Sequence, residues 1–121
     1  MAAALVVLHT FDEAYGHPVD DGKLNLAVAI AVFGLLLAVH RRLGRWGLSA
    51  VLGILGTNVV IQGALGHVSH IVEGNAVPLD YSGLLFTAGG VLLMWLALDV
   101  LRQSRRAERG LAPTNAGPEA R

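Results

Sequence analysis

Long apolar stretches alternate with short polar ones along this chain, and three of the apolar stretches dominate the pattern. Leu24 to His40 carries only Asn25 and His40 as polar positions. Leu48 to Val72 has no Lys, Arg, Asp or Glu, although Ser49, Thr57, Asn58, Gln62, His67, Ser69 and His70 interrupt it. Ser82 to Leu98 has only Ser82 and Thr87, and its apolar character continues past Asp99 to Leu101. A helix that crosses a bilayer takes roughly 20 residues, with a range of about 17–25, and all three stretches reach that range. Backbone groups in hydrocarbon need partners within their own segment, so helices are the expected form. A soluble bundle would show a polar stripe along each helix, and Leu26 to Val39 has none at any angle.

Met1 to Glu13 is also apolar at first, but a helix of about 13 residues covers only about 20 Å. It has no basic n-region and no small-x-small cleavage site, so a removable signal peptide is not expected. The fold expected is all-α: an integral membrane four-helix bundle with three full spans and a short N-terminal helix. The helices are placed at about 2–14, 22–42, 47–73 and 81–107, in one membrane domain over 1–110. Residues 111–121 (LAPTNAGPEAR) read as a disordered cytoplasmic tail.

Composition agrees with this pattern. The chain has 121 residues, enough for one domain, and 54% of them are hydrophobic. Charged residues make up 15%, against roughly 25% in soluble chains. Formal net charge is zero, so no basic field exists to recruit nucleic acid, and no nucleic-acid partner is expected. The absence of Cys excludes disulfides, c-type haem attachment and thiolate metal sites.

Charge placement sets an orientation. Arg41, Arg42 and Arg45 lie between two apolar stretches, and Arg102, Arg105, Arg106, Arg109 and Arg121 follow the last. Asp12, Glu13, Asp20, Asp21, Glu73 and Asp80 lie at the opposite ends, with Lys23 as the only basic residue there. Basic residues near span ends are retained in the cytoplasm. The expectation is a multi-pass protein of the cell membrane with a cytoplasmic C-terminus and with 9–23 and 73–81 outside. Asp99 is expected to pair with Arg102 at i+3.

Two stretches share an order of features: a helix ending in His-x-x-acid (His9 to Asp12, His70 to Glu73), a Gly/Pro-containing loop, an Asp, an apolar span and a pair of arginines. This order suggests two tandem helical hairpins. An Asp at the start of the second helix of each is placed to accept from free N–H groups and suits the positive end of the helix dipole.

The stretch from Leu48 also carries a periodic seam. Ser49, Gly53, Gly56, Val60, Gly63, His67 and His70 follow alternating steps of four and three, the period of a left-handed helix pair. Small residues on such a seam let membrane helices approach closely, with Gly89 and Gly90 on the last span as mates. Asn58 and Gln62, one turn apart near mid-span, are expected to hydrogen-bond to a neighbouring helix, with a polar pathway as the alternative.

The candidate chemistry lies at the end of this seam. His67, His70 and Glu73 approach the same surface, and His9, Asp12, Glu13 and His17 lie at similar depth. The candidate metal ligands are His67, His70, Glu73, His9 and Asp12, an N/O donor set that a divalent transition metal accepts. Bis-histidine haem ligation, with His9 facing His67 or His70, is a further reading. The plain alternative is interfacial hydrogen bonding with no bound ion, and it stays open here. His-x-x-His is not the His-Glu-x-x-His of zinc hydrolases, and no nucleophile–base arrangement or phosphate-cradling loop is present, so an enzyme is not expected. A proton-coupled transporter would need a carboxylate at mid-membrane depth, and none is present.

Gly63 to His70 (GALGHVSH), Pro78 to Ser82 (PLDYS) and the last span with its basic end resemble small uncharacterised bacterial multi-pass membrane proteins. In these a helix ends in His-x-x-His, a short loop carries an Asp, and a last helix ends in a basic tail. The resemblance covers about the last third of the chain, implies the four-helix arrangement and assigns no catalytic residue. The leading functional expectation is an accessory or self-associating subunit, packing through Ser49, Gly53, Gly56 and Gly63 into a homo-oligomer or larger membrane complex within the lipid bilayer. The alternative is a metal- or haem-binding membrane protein with an outer-face His/Glu/Asp site.

Overall fold

The structure is a computed structural model that describes residues 1–16 and 20–110. It is all-α, with four helices and no strand among the described residues. Helix α1 (Ala2–Phe11) runs on into a π-helical turn, Asp12–Gly16. Helix α2 covers Gly22–Val39. Helix α3 covers Gly44–Val72 and widens into a π-helical stretch over Ala64–Val68. Helix α4 covers Pro78–Gly110. His17 and the tail from 111 onward, expected to be disordered, lie outside the described residues.

Helices α2, α3 and α4 are each long and apolar enough to cross a membrane. Their outward faces are what lipid rather than water would solvate. Only 6% of α2's apolar window is buried within the chain, and 22% and 28% of those of α3 and α4. Leu37 and Ile54 are exposed at 72% and 71%. Monomeric soluble proteins rarely show contiguous apolar surface on this scale.

The helix boundaries have local causes. Pro78 starts α4, where the missing N–H would be unpaired in any case. Asp80, in the first turn, accepts from the Val77 N–H through Oδ2 at 2.8 Å, the backward reach of a capping box. Helix α3 ends in a Schellman turn: Gly74 stands at φ +77°, Asn75 N–H donates to His70 O and Gly74 N–H to Ile71 O. The expected fourth helix thus begins three residues early, because Pro78 opens the helix rather than ending the loop.

The α3–α4 contact is the main packing interface. Its buried α3 positions are Ser49, Leu52, Gly56, Val59 and Gly63. A Cβ on Gly56 would stand 2.8 Å from Gly90 O, and one on Gly90 would stand 2.8 Å from Val60 N, so the backbones meet here without side chains between them. Ser49 Oγ donates to Ala97 O at 2.7 Å in this buried contact. Gly53 and Val60 lie at the rim and are half-buried, because the true seam sits partly turned from the expected one.

Helix α1 lies antiparallel to α2 and packs on α4, with Val6, Ala2 and Leu5 against Gly89. Two small apolar clusters result: Ala2, Leu52, Leu93 and Ala97, and Val6, Val59 and Phe86. Phe33 packs against both and Leu36 against the first, so α2 joins the core in its second half. The chain therefore forms two consecutive hairpins, α1–α2 and α3–α4. Trp46 Nε1 donates to Glu108 Oε1 at 3.0 Å and places the basic α2–α3 turn beside the basic end of α4. Asp99 accepts from Gln103 rather than pairing with Arg102, since i+4 on α4 brings the amide to 2.7 Å.

Candidate metal centre

At the end of the bundle opposite the arginines, α1 and α3 each bring a histidine to the same point. His9 closes the last turn of α1 and is 1% exposed. His67 lies in the π-helical stretch of α3, with its side chain 13% exposed. The two rings meet edge to face, with centroids 4.7 Å apart. Glu13, in the π-helical turn that follows α1, completes the group. One ligand atom from each of His9, Glu13 and His67 lies within 4.8 Å of the others. Single-turn π insertions inside helices recur at functional sites; His67 lies in such an insertion, and Glu13 in a π-helical turn that ends α1.

The outer partners orient each imidazole. His9 Nδ1 lies 3.0 Å from Ser82 Oγ, and Ser82 Oγ donates to Asp12 Oδ2 at 2.6 Å. With the Ser82 proton directed to Asp12, His9 Nδ1–H donates to the hydroxyl. His67 Nδ1 lies 3.0 Å from Oδ1 of Asp80, which is 2% exposed. A ring whose Nδ1–H donates to a carboxylate or hydroxyl keeps its Nε2 lone pair for ligation, the usual outer shell of a metal-bound histidine. Gly83 makes room for this pairing, since any Cβ there would overlap the His67 ring.

His9 Nε2 is the informative atom. It is buried and has no hydrogen-bond partner among the described residues. Glu13 Oε1 lies 3.4 Å away, within ion-pair range but without hydrogen-bond geometry. A lone pair and a carboxylate facing each other in a buried site call for a cation between them, either a proton on the ring or a metal ion. Glu13 lies outside the three spans. The adjacent His9 imidazole holds its carboxyl below the ordinary carboxylate range, partial burial opposes this, and the Asn25 amide helps His9. Asn25 Nδ2 reaches Glu13 Oε2 at 3.5 Å. The carboxylate is therefore ionised at neutral pH, as a ligand must be.

The candidate residues divide. His9 and His67 come together. Asp12 lies behind His9, at one remove through Ser82. His70 has a side chain 53% exposed and turns its Nδ1 to Asp80 at 3.3 Å. Glu73 is exposed at the end of α3, away from the cluster. Glu13 belongs to the cluster, and its i, i+4 spacing from His9 is the signal that points to it. Asp80 combines helix capping with the hold on His67, and only its capping role follows from its position at a helix start. A haem between His9 and His67 has no slot here, because rings in edge contact leave no room for a macrocycle between them.

A cavity of about 500 Å³ opens beside the cluster. His9, Glu13 and His67 line one end of it, Asn58 and Gln62 of α3 another part, and Val28, Ala29 and Val32 of α2 the opposite wall. The fold and this site together define a small helical bundle with three membrane-length helices and a buried His/carboxylate cluster at one end. No family model, curated protein or solved structure matches the chain.

Proposed function

We propose that this is a multi-pass membrane protein that binds a divalent transition metal through His9, Glu13 and His67. The carrying observation is the buried Nε2 of His9, left without a hydrogen bond beside an ionised carboxylate and a second imidazole. Two imidazoles and one carboxylate form a three-ligand set of the kind that holds catalytic zinc or non-haem iron with an open coordination position. Asp80 and the Ser82–Asp12 pair serve as the outer shell that fixes the imidazoles. The bland alternative, a hydrogen-bonded cluster with no ion, leaves His9 Nε2 unexplained unless the ring is protonated. The expectation of a self-associating subunit rested on the small-residue seam, and Ser49, Gly56 and Gly63 meet α4 of the same chain.

The histidine end faces the non-cytoplasmic side in this reading. Support comes from the basic residues of the α2–α3 turn and of α4, which share the other end of the bundle through Trp46 and Glu108. The chain has no Cys, so single Cys variants report topology directly: Asn75→Cys should react with an impermeant maleimide in intact cells and Ala107→Cys only after permeabilisation.

Cobalt loading tests the metal proposal. Gently purified protein should take up one equivalent and show d–d absorption; His9→Ala and His67→Ala should lose both, whereas His70→Ala and Glu73→Gln keep both. Failure to bind Co(II) or Zn(II), or equal binding by all four variants, would overturn it.

A further inference from the structure

The two faces of α3 differ in what they offer a neighbour. One face meets α4 through glycines. The adjoining face presents Asn58 and Gln62 into the cavity, both exposed and near the middle of a 29-residue membrane-length helix. Gln62 Nε2 donates to Asn58 Oδ1 at 3.2 Å, and this is the amides' only mutual bond. Asn58 Nδ2 and Gln62 Oε1 are left without a partner among the described residues. Hydrocarbon cannot satisfy these atoms, and an unpaired amide at that depth is unfavourable.

The remaining walls limit what can satisfy them. Val28, Ala29 and Val32 form an apolar surface opposite. Val28, Asn58 and Gln62 stay exposed, so the cavity opens between α2 and α3, toward where lipid would lie. No Lys or Arg lines the cavity, so its lining offers a carboxylate or phosphate head no fixed side-chain counter-charge. The volume falls within the usual 300–1,000 Å³ of small-molecule sites.

We propose that this cavity binds a neutral lipid-phase molecule with a carbonyl-bearing head. The head accepts from the Asn58 amide, and the apolar tail leaves between α2 and α3. The site shares a wall with the metal cluster but does not depend on the ion.

Equilibrium dialysis of the full chain in detergent, with a decyl-substituted benzoquinone as probe and decylbenzene as competitor, tests this. Saturable, equimolar uptake is expected, weakened about tenfold by Asn58→Leu, the effect of one lost hydrogen bond. Ala29→Trp should abolish it by filling the cavity, and decylbenzene should not compete. Unsaturable partitioning, full competition by decylbenzene, or unchanged binding in both variants overturns the proposal. So does a shift of oligomeric size in Asn58→Leu without a change in uptake, which would assign the amides to a second copy of the chain. Metal content measured on the same samples separates the two readings. Quinone uptake by protein that takes up no metal sinks the metal reading alone, and metal uptake without quinone saturation sinks this one alone.

Discussion

Two neighbouring faces of α3 are built on opposite principles. The face toward α4 holds Ser49, Gly56 and Gly63, and it brings backbones into direct contact. The face toward α2 holds Leu55, Asn58, Gln62 and Gly66, and it borders an open cavity. In a bilayer no hydrophobic force drives helices together, so close packing and hydrogen bonds must do it. Small residues supply that packing on one face. Amides without partners prevent it on the other, and α2 closes on the core only through Phe33 and Leu36. The first face makes a rigid pair, and the second leaves room beside the histidines.

This contrast can be broken at its strongest point first. Gly56→Leu and Gly90→Leu should each destabilise the protein by about 3 kcal/mol, because the added side chain meets helix backbone at once, together with Met94 at Gly56 and Val59 at Gly90. Asn58→Leu, on the open face, should leave the melting temperature in detergent unchanged or raise it. Equal losses for the two faces would contradict the comparison.

The next effect concerns the cluster. Asp80→Asn should weaken metal affinity about 10–100-fold, as loss of an outer-shell carboxylate does, while the metal ligands remain in place. Isothermal titration with Zn(II) checks this. Gly83→Ala should lower the affinity as well, since the new methyl displaces the His67 ring. An unchanged titration for Gly83→Ala would remove His67 from its assigned position.

The smallest effect is that of pH. The Glu13 carboxyl is held below its ordinary value of 4.5, so its contribution to stability is complete above that value and is lost as pH falls through the lowered one. In metal-free protein, wild type should therefore lose stability over Glu13→Gln on acidification below about pH 4.5, and the two should run parallel above it. The partial exposure of Glu13 keeps the difference small.

Much of this architecture could be read from residues alone, because a membrane span announces itself by a missing polar stripe. Leu26 to Val39 is such a case, and the arginines beyond each span mark one end. The small-residue period also located Ser49, Gly56 and Gly63 on the α4 contact. The site was less legible. The regular period of four and three puts Gly53 and Val60 on the seam, where they lie half-buried at its rim, and α3 widens over Ala64–Val68 after Gly63. His67 meets Asp80 and Gly83 of α4, as the period expects, and also His9 of α1, whereas His70 is more exposed. A π-helical turn has no sequence signature comparable to apolar periodicity. Asp12 stands in the His-x-x-acid order that the two hairpins share, whereas Glu13 shares one helix face with His9 at i, i+4. The pairing of Asp80 with His67 depends on how closely α4 approaches α3, and Gly83 permits that approach.

X-ray absorption on the zinc-loaded protein shows whether one metal ion sits between His9, Glu13 and His67. The expected coordination sphere is four-coordinate, with two imidazoles at about 2.0–2.1 Å, one carboxylate oxygen at about 2.0–2.2 Å and one further light atom. In His67→Ala, one imidazole should vanish from that shell. A shell of oxygen alone, without imidazole scattering, or one unchanged by His67→Ala, would rule out a metal ion held by these histidines.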